Sequence, residues 1–548
     1  MRRNTNHTTW YMIMFQPAKN KLGTVVAGSL TEGLQVRLDP ACSVETLRVG
    51  QFVVIQGEQH QFFSMIGDVK LDAANRDILA DPPAADDDFL RRVLGGTATY
   101  GTFTVSPMLM VDALEGLRPV RTVPRHFAPV YTADEQDFAH VFGTEGGVKF
   151  QMGMPLDMDI PVCLDLGRLV ERSNGVFGKS GTGKSFLTRL LLCGVIKCQA
   201  ASTLIFDMHS EYGWDSRSEE GVFVKGLRQL FGHQVLVYSL DPKSSRQRGV
   251  TIDSEVVIGL DQIDVEDVIL LQDELNLTST AAESSYLLVD HFKDKWFERL
   301  RAMDSSELQA FAESSGAHGG ALSALKRKLE QVARLGFVRS NAPVSSIDGM
   351  IDALAAGKHV VLEFGQHNST LAYMLVANVI TRRIHQRWVE QTEKFLQSKR
   401  DADRPRPLVI TVEEAHKFLN PQAARQTIFG TIARELRKYN VTLLIVDQRP
   451  SAIDNEVMSQ LGSRITALLN DERDIDAVFT GVGGAAKLRA VLASLDTRQQ
   501  AMILGHAVPM PVVIRTRPYD DAFYAAVAPK STAKKDYAQV LEDVDDLF

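Results

Sequence analysis

The sequence predicts an α/β chain: a mostly parallel sheet covered by helices on both faces, preceded by a small β-barrel and interrupted by a helical insertion. Three observations carry this. From Leu22 to Leu71 short apolar segments alternate with polar residues and are punctuated by Gly23, Gly28, Gly33, Gly50, Gly57 and Gly67, the spacing of small all-β domains. After Gly147 apolar strands alternate with helical segments, the grammar of a parallel sheet. Between Ile263 and Val338 the strand signals stop and helical periodicity takes over.

In the first region Leu34, Val36 and Leu38 alternate, followed by Phe52–Ile55 and Phe62–Val69. The stretch Asp81–Asp88 is polar and broken by Pro82 and Pro83, an exposed loop or linker. Strands of the α/β region are expected at Gly175–Phe177, Thr203–Phe206, Val235–Tyr238, Val360–Phe364, Leu408–Val412, Val441–Val446, Ile465–Leu468 and Val512–Arg515. Within the insertion, Asp267–Leu275, Tyr286–Leu300 and Leu322–Leu335 read as helices. The expected division is an extension at 1–21, the barrel with its linker at 22–146, core segments at 147–262 and 343–518 around an insertion at 263–342, and a tail at 519–548.

Composition is that of a globular protein, 45% hydrophobic and 23% charged over 548 residues. Cys42, Cys163, Cys193 and Cys198 form no CxxC pair, which argues against a zinc site or a disulfide framework and for a reducing cytoplasm. The run Tyr11–Phe15 is too short for the core of a signal peptide, and no window of 18 apolar residues is present to span a membrane. The net charge of −8 lacks the overall basic footprint of a nucleic-acid binder. A ring with a few basic residues facing its channel would escape that objection, because net charge says little about local fields.

The chemistry begins at Gly178-Lys179-Ser180-Gly181-Thr182-Gly183-Lys184-Ser185, followed by Phe186. This G-x-x-x-x-G-K-[ST] pattern lets backbone N–H groups curl around phosphates, with Lys184 reaching the β- and γ-phosphates and Ser185 holding Mg²⁺. An apolar strand precedes it and Leu187, Leu190, Leu191 and Val195 follow at helical spacing, so a helix N-terminus points at the anion. The pattern predicts ATP binding and turnover.

A second signal is the apolar strand ending in Glu413 and Glu414. Beside a phosphate loop, one such carboxylate holds the Mg²⁺ shell and the other activates water; here Glu413 and Glu414 respectively. Gln448, at the tip of a strand beside the acidic one, is placed to sense the γ-phosphate. The expected sequence of strands puts Glu414 next to the phosphate-loop strand and Gln448 beyond it. Arg434, Arg437 and Lys438 lie on the preceding cationic helix, which by itself reads as a solvated face.

Together these blocks resemble the HerA branch of the HerA and FtsK ATPase superfamily, from about Leu22 to Pro518. Leu22–Val25 and Val49–Val53 resemble the family's HAS-barrel, Phe206–Tyr212 its D-x-H-x-E-Y segment, Val412–His416 its E-E-A-H signature, and Ala433–Tyr439 with Gln448–Ser451 its A-R-E-G-R-K and Q-R-P-S blocks. Leu436 and Ser210 stand where the family commonly has glycine. The resemblance implies a RecA-like P-loop NTPase core and a homohexameric ring with ATP between subunits, translocating on double-stranded DNA. It implies Arg437 as an arginine finger acting in trans, with Arg434 as the alternative candidate, and Asp207 and Glu211 beside the nucleotide supporting Mg²⁺ and water. It also implies a partner, either a nuclease of the NurA type in DNA end processing and repair or a sirtuin-like or other effector in antiphage defence, with the barrel as docking face. The alternative is an ATP-binding scaffold that organises such a partner with little translocation; a secretion or conjugation ATPase is a third reading that the barrel argues against. Arg425 is a candidate DNA contact. Lys326-Arg327-Lys328 reads as a solvated helix face, and the acidic tail Leu541–Phe548 as a frayed terminus or docking peptide.

Overall fold

The computed structural model describes residues 20–528, apart from 76–82, 84–86, 96–97, 113–115, 218–220, 222, 341, 343–344, 368, 426, 483–484, 494 and 497–498. The tail Leu541–Phe548 lies outside the described residues, as do the side chains of Arg425 and Arg437. Two compact units partition the chain: 1–143 with 156–160, and 144–155 with 161–548.

In the first unit the strand Gly33–Leu38 pairs on one edge with Lys21–Ser29 and on the other with Thr99–Asp112. That double pairing closes the order Gly33–Leu38, Lys21–Ser29, Pro129–Thr132, Phe52–Gln56, Gln61–Ala73, Thr99–Asp112 into a six-stranded barrel, with Gly116–Pro119 added outside it. Alternation explains the closure. Leu34, Val36 and Leu38 are buried and join Leu22, Val25, Val53, Ile55, Phe62, Ile66, Phe103, Val105 and Val130 in one apolar core, each large side chain contributing about 1.5–3 kcal/mol when fully buried. Gly28 has φ +129°, and a Cβ there would meet the Gly33 carbonyl oxygen at 2.3 Å, so no side chain fits where this strand turns back. Most of the proline-broken stretch Asp81–Asp88, expected as an exposed loop or linker, lies outside the described residues; Ala73 is level with Thr99 on the neighbouring strand. Asp88–Leu94 is a short helix.

The second unit is built on a twelve-stranded sheet. Its order is Ser254–Glu255, Val235–Ser239, His359–Glu363, Ser202–Asp207, Leu408–Glu413, Val441–Asp447, Asn174–Phe177, Ser463–Thr466, Gln500–Gly505, Val512–Thr516, Lys149–Pro155, Val162–Asp165. The first eight run parallel, and the last four are joined antiparallel at the far edge. Parallel strands buried on both faces read as continuous apolar runs, and Leu408–Glu413 and Val441–Asp447 are buried at every position.

The structure departs from expectation in four places. Lys149–Pro155, Val162–Asp165 and Gln500–Gly505 are strands that sequence reading passes over. The strand expected at Ile465–Leu468 runs from Ser463 to Thr466 and includes Arg464, which is buried with its guanidinium donating to the carbonyls of Val478 and Met458. The helix expected over Tyr286–Leu300 is two, Ser279–Phe292 and Trp296–Ala302, parted at Lys293, whose φ of 52° a continuous helix cannot hold. The helix expected at Asp267–Leu275 is Val265–Leu270, ending in turns where Asn276 also takes a positive φ, 49°.

The helices between Val265 and Ala333 are bracketed by a parallel pairing of Ile258–Gly259 with Val338–Arg339. Asp267, fully buried, accepts from Arg382 and from Asn378 on the long helix Thr370–Ser398, tying the helical segment to the sheet's cover. On Gly319–Ala333, Arg327 is exposed while Lys326 is half-buried and donates to the Met303 carbonyl, so this basic triplet is in part a packing device. Among the described residues, no helix is long and apolar enough to cross a membrane. All four cysteines are free thiols.

Candidate active site

The phosphate loop leaves the strand Asn174–Phe177, which lies between Val441–Asp447 and Ser463–Thr466. Gly181 and Gly183 have φ of 80° and 88°, conformations that suit glycine. A Cβ on Gly178 would meet Thr182 Oγ1 at 2.8 Å and Ala467 Cβ at 2.9 Å. The loop is drawn tight by Thr182 Oγ1 and Lys184 Nζ, both donating to the Lys179 carbonyl at 2.7 and 3.3 Å. Lys179, Ser180 and Gly181 are exposed, and Lys184, Ser185 and Phe186 are partly so. Gly183 caps the helix Lys184–Lys197 without a side chain, leaving its first N–H groups to an anion.

At the carboxyl ends of the neighbouring strands, carboxylates stand in a row. Asp207 is level with Glu363, and continuing the register of Ile205 with Thr411 sets it level with Glu413. Asp447 is level with Phe177, one residue before the phosphate loop. Parallel strands in register produce this row directly, because each apolar run ends at the same edge of the sheet and each ends in a buried acid. It is the edge at which open α/β sheets bind ligands.

Each acid is held differently. Asp207 is fully buried and accepts from the backbone N–H groups of Glu211 and Tyr212, both at 2.9 Å. Burial pushes its carboxyl up to about 6, against those two hydrogen bonds. Glu413 accepts at Oε1 from the Tyr212 hydroxyl at 2.7 Å, and its main-chain carbonyl accepts from Tyr373 at 2.9 Å. Its Oε2 is buried with no hydrogen-bond partner. Burial pushes Glu413 up to about 8; Asp207, Glu211 and Glu414 push the same way, and only the Tyr212 bond opposes them. Glu363 is fully buried, with Oε2 on Arg248 and Ser245 and Oε1 unpartnered.

Glu414 differs from these. Its φ of 48° is left-handed, a conformation that costs a residue with a Cβ about 1–2 kcal/mol and collects at functional sites. The carboxylate is partly exposed, and its Oε1 accepts from Gln448 Nε2 at 3.3 Å. His416 Nδ1 lies 2.9 Å from Asp447 Oδ2 and 3.8 Å from Glu414 Oε2. The Asp447 hydrogen bond raises the imidazole above its ordinary value, against partial burial.

Thus Glu413 with Asp207 and Glu211, and Glu414 with Gln448, are brought together. The strand order corrects one expectation. Val441–Asp447, which carries Gln448, lies between the phosphate-loop strand and the acidic strand, so Gln448 is the nearer neighbour of the loop and Glu414 the farther. Arg434 is partly exposed on the helix Ile428–Glu435. Sequence reasoning gave no role to Tyr212, Tyr373, His416, Asp447, Glu363 or Arg248. Asp447 carried a signal, since it ends an apolar strand as Glu413 does. Arg189 carried none. It is buried on the phosphate-loop helix and donates to the Glu211 carbonyl and to Ser216 Oγ, binding that helix to the loop after Asp207.

Comparison with known proteins finds relatives for this chain. A family model described as the central domain of helicase HerA matches residues 150–384. The "DNA double-strand break repair helicase HerA" of Pyrococcus furiosus is 22% identical over 438 residues, 75% of this chain and 77% of that protein. The protein of the same name from Sulfolobus acidocaldarius is 23% identical over 476 residues, 86% of this chain and 89% of that one. Among solved structures, VirB4 of Thermoanaerobacter pseudethanolicus covers 68% of this chain and 98% of its own at 16% identity, with a TM-score of 0.42. With a phosphate loop and an acidic strand on one edge of a parallel sheet, the chain is a nucleotide-binding ATPase, similar to the HerA helicases along most of its length.

Proposed function

We propose that this ATPase is a motor on double-stranded DNA, a translocase or helicase working as a homohexameric ring, beside a nuclease of the NurA type or a sirtuin-like or other effector, in DNA end processing or antiphage defence. The observation that carries the catalytic half is the pair Glu414 and Gln448, a strained, partly exposed carboxylate in contact with a polar sensor on the strand beside the phosphate loop. The DNA half is supported by relatives named as DNA double-strand break repair helicases.

In this reading Gly178, Ser180, Gly181, Thr182 and Gly183 shape the phosphate cradle, Phe186 flanks it, and Lys184 binds the β- and γ-phosphates. Glu414 takes the proton of the attacking water while Gln448 orients that water. Arg437, from the adjacent subunit, meets charge developing on the γ-phosphate, with Arg434 as the alternative candidate for that role. Ser185, Glu413 and Asp207 suit Mg²⁺: all are hard oxygen donors, and Glu413 Oε2 is a buried oxygen without a partner. Mg²⁺ takes much of its shell from phosphates and water, so a few protein oxygens suffice. When bound, it neutralises charge on the β- and γ-phosphates. Glu211 supports the water network from the loop beside Asp207.

The test is ATP turnover with and without linear double-stranded DNA of increasing length. DNA stimulation that grows with length is expected of a translocating ring. A rate indifferent to DNA at every length would overturn the motor and leave the assembly scaffold.

A further inference from the structure

Tyr212 is wholly buried and touches two of the carboxylates at once. Its backbone N–H donates to Asp207 Oδ2 at 2.9 Å, and its hydroxyl donates to Glu413 Oε1 at 2.7 Å across 201 residues of sequence. Asp207, Glu211 and Glu414, the charged neighbours of Glu413, repel its carboxylate. Among the described residues, the Tyr212 hydroxyl supplies the only side-chain hydrogen bond to the Glu413 carboxylate. Tyr373, also fully buried, holds the Glu413 main-chain carbonyl at 2.9 Å. Main chain and Oε1 are thereby fixed, and Oε2 alone is left without a partner. A buried phenylalanine would fill the same volume, so packing does not account for the hydroxyl.

We propose that Tyr212 is a positioning residue for the nucleotide-bound cation: by engaging Oε1 it turns Glu413 into a one-oxygen donor whose Oε2 is kept for the cation shell. This rests on the assignment of Glu413 to that shell under the proposed function. Partners behind a metal-shell ligand commonly change metal affinity 10–100-fold when removed. Tyr212 would thus set how much Mg²⁺ the enzyme requires, without touching nucleotide or metal.

The experiment titrates a fluorescent non-hydrolysable ATP analogue onto the full chain, in EDTA and across a Mg²⁺ series, for wild type, Tyr212→Phe and Glu413→Gln. For Tyr212→Phe the Mg²⁺ midpoint should rise about tenfold, with affinity in EDTA unchanged, and kcat at limiting Mg²⁺ should recover at high Mg²⁺. A wild-type midpoint in Tyr212→Phe, alongside a raised midpoint in Glu413→Gln, would overturn the role of Tyr212 and leave that of Glu413 standing. If Glu413→Gln also keeps the wild-type midpoint, the assignment of Glu413 itself fails. Weakened binding in EDTA as well as in Mg²⁺ would make Tyr212 a purely structural residue and overturn the proposal equally.

Discussion

The barrel and the carboxyl edge of the parallel sheet are both built from short buried strands, yet they treat polarity in opposite ways. In the barrel, strands deliver alternating apolar side chains to one core, and the buried His60 Nδ1 lies 3.1 Å from Asp112 Oδ2. At the sheet edge the strands deliver Glu363, Asp207, Glu413 and Asp447, and Glu363 and Glu413 each keep an oxygen without a partner. Buried unpaired polar groups destabilise a fold. Two such carboxylate oxygens, on Glu363 and Glu413, lie on the edge that carries the proposed chemistry, whereas the barrel strands close on an apolar core.

The contrast predicts that the two regions fail differently. At the edge, Glu414→Gln should keep ATP binding and reduce turnover on the order of 10²–10⁴-fold, the usual contribution of a positioned base, with little change in melting temperature. Single-turnover hydrolysis beside nucleotide retention checks this, and a wild-type rate would move the base role to Glu413 or Glu211. In the barrel, Leu34→Ala should cost about 2–5 kcal/mol, read by denaturant unfolding of that unit, while kcat per folded molecule stays near wild type. A large loss of kcat without loss of stability would break the distinction. The smallest effect is expected at Ser210, whose φ is 56°. Ser210→Gly relieves a left-handed strain of about 1–2 kcal/mol and returns about 0.5–1 kcal/mol of it through the greater freedom of the unfolded chain. A net gain of about 0–1.5 kcal/mol in thermal unfolding, with unchanged turnover, would show that strain in this loop is separable from function.

Much of the scaffold was legible because its signals are local. The alternation of Leu34, Val36 and Leu38, the glycine pattern of the phosphate loop and the apolar runs ahead of Glu413 and Gln448 each declare themselves within a few residues. Ser210 is instructive: the family's glycine preference there has a physical origin in a positive φ, which serine bears at a cost. What sequence could not show is partnership at a distance. Tyr212 meets Glu413 across 201 residues, and Arg248 meets Glu363 across 115. No periodicity encodes either contact. The antiparallel extension was missed for a different reason. Lys149–Pro155 contains Gly153 and ends in Pro155, residues of poor strand propensity, and it is held by pairing with Val512–Thr516 and Val162–Asp165. The order of strands around the phosphate loop is likewise a property of topology.

Glu414 carries one more implication, for how such a chain can change over time. Its main chain at φ 48° would be better served by glycine or asparagine, residues that enter the left-handed region at little cost. Neither could take a proton from water. Drift toward greater stability therefore runs directly against the proposed chemistry at this one position, and a lineage released from the need to hydrolyse ATP would be expected to lose its glutamate here before it lost its fold.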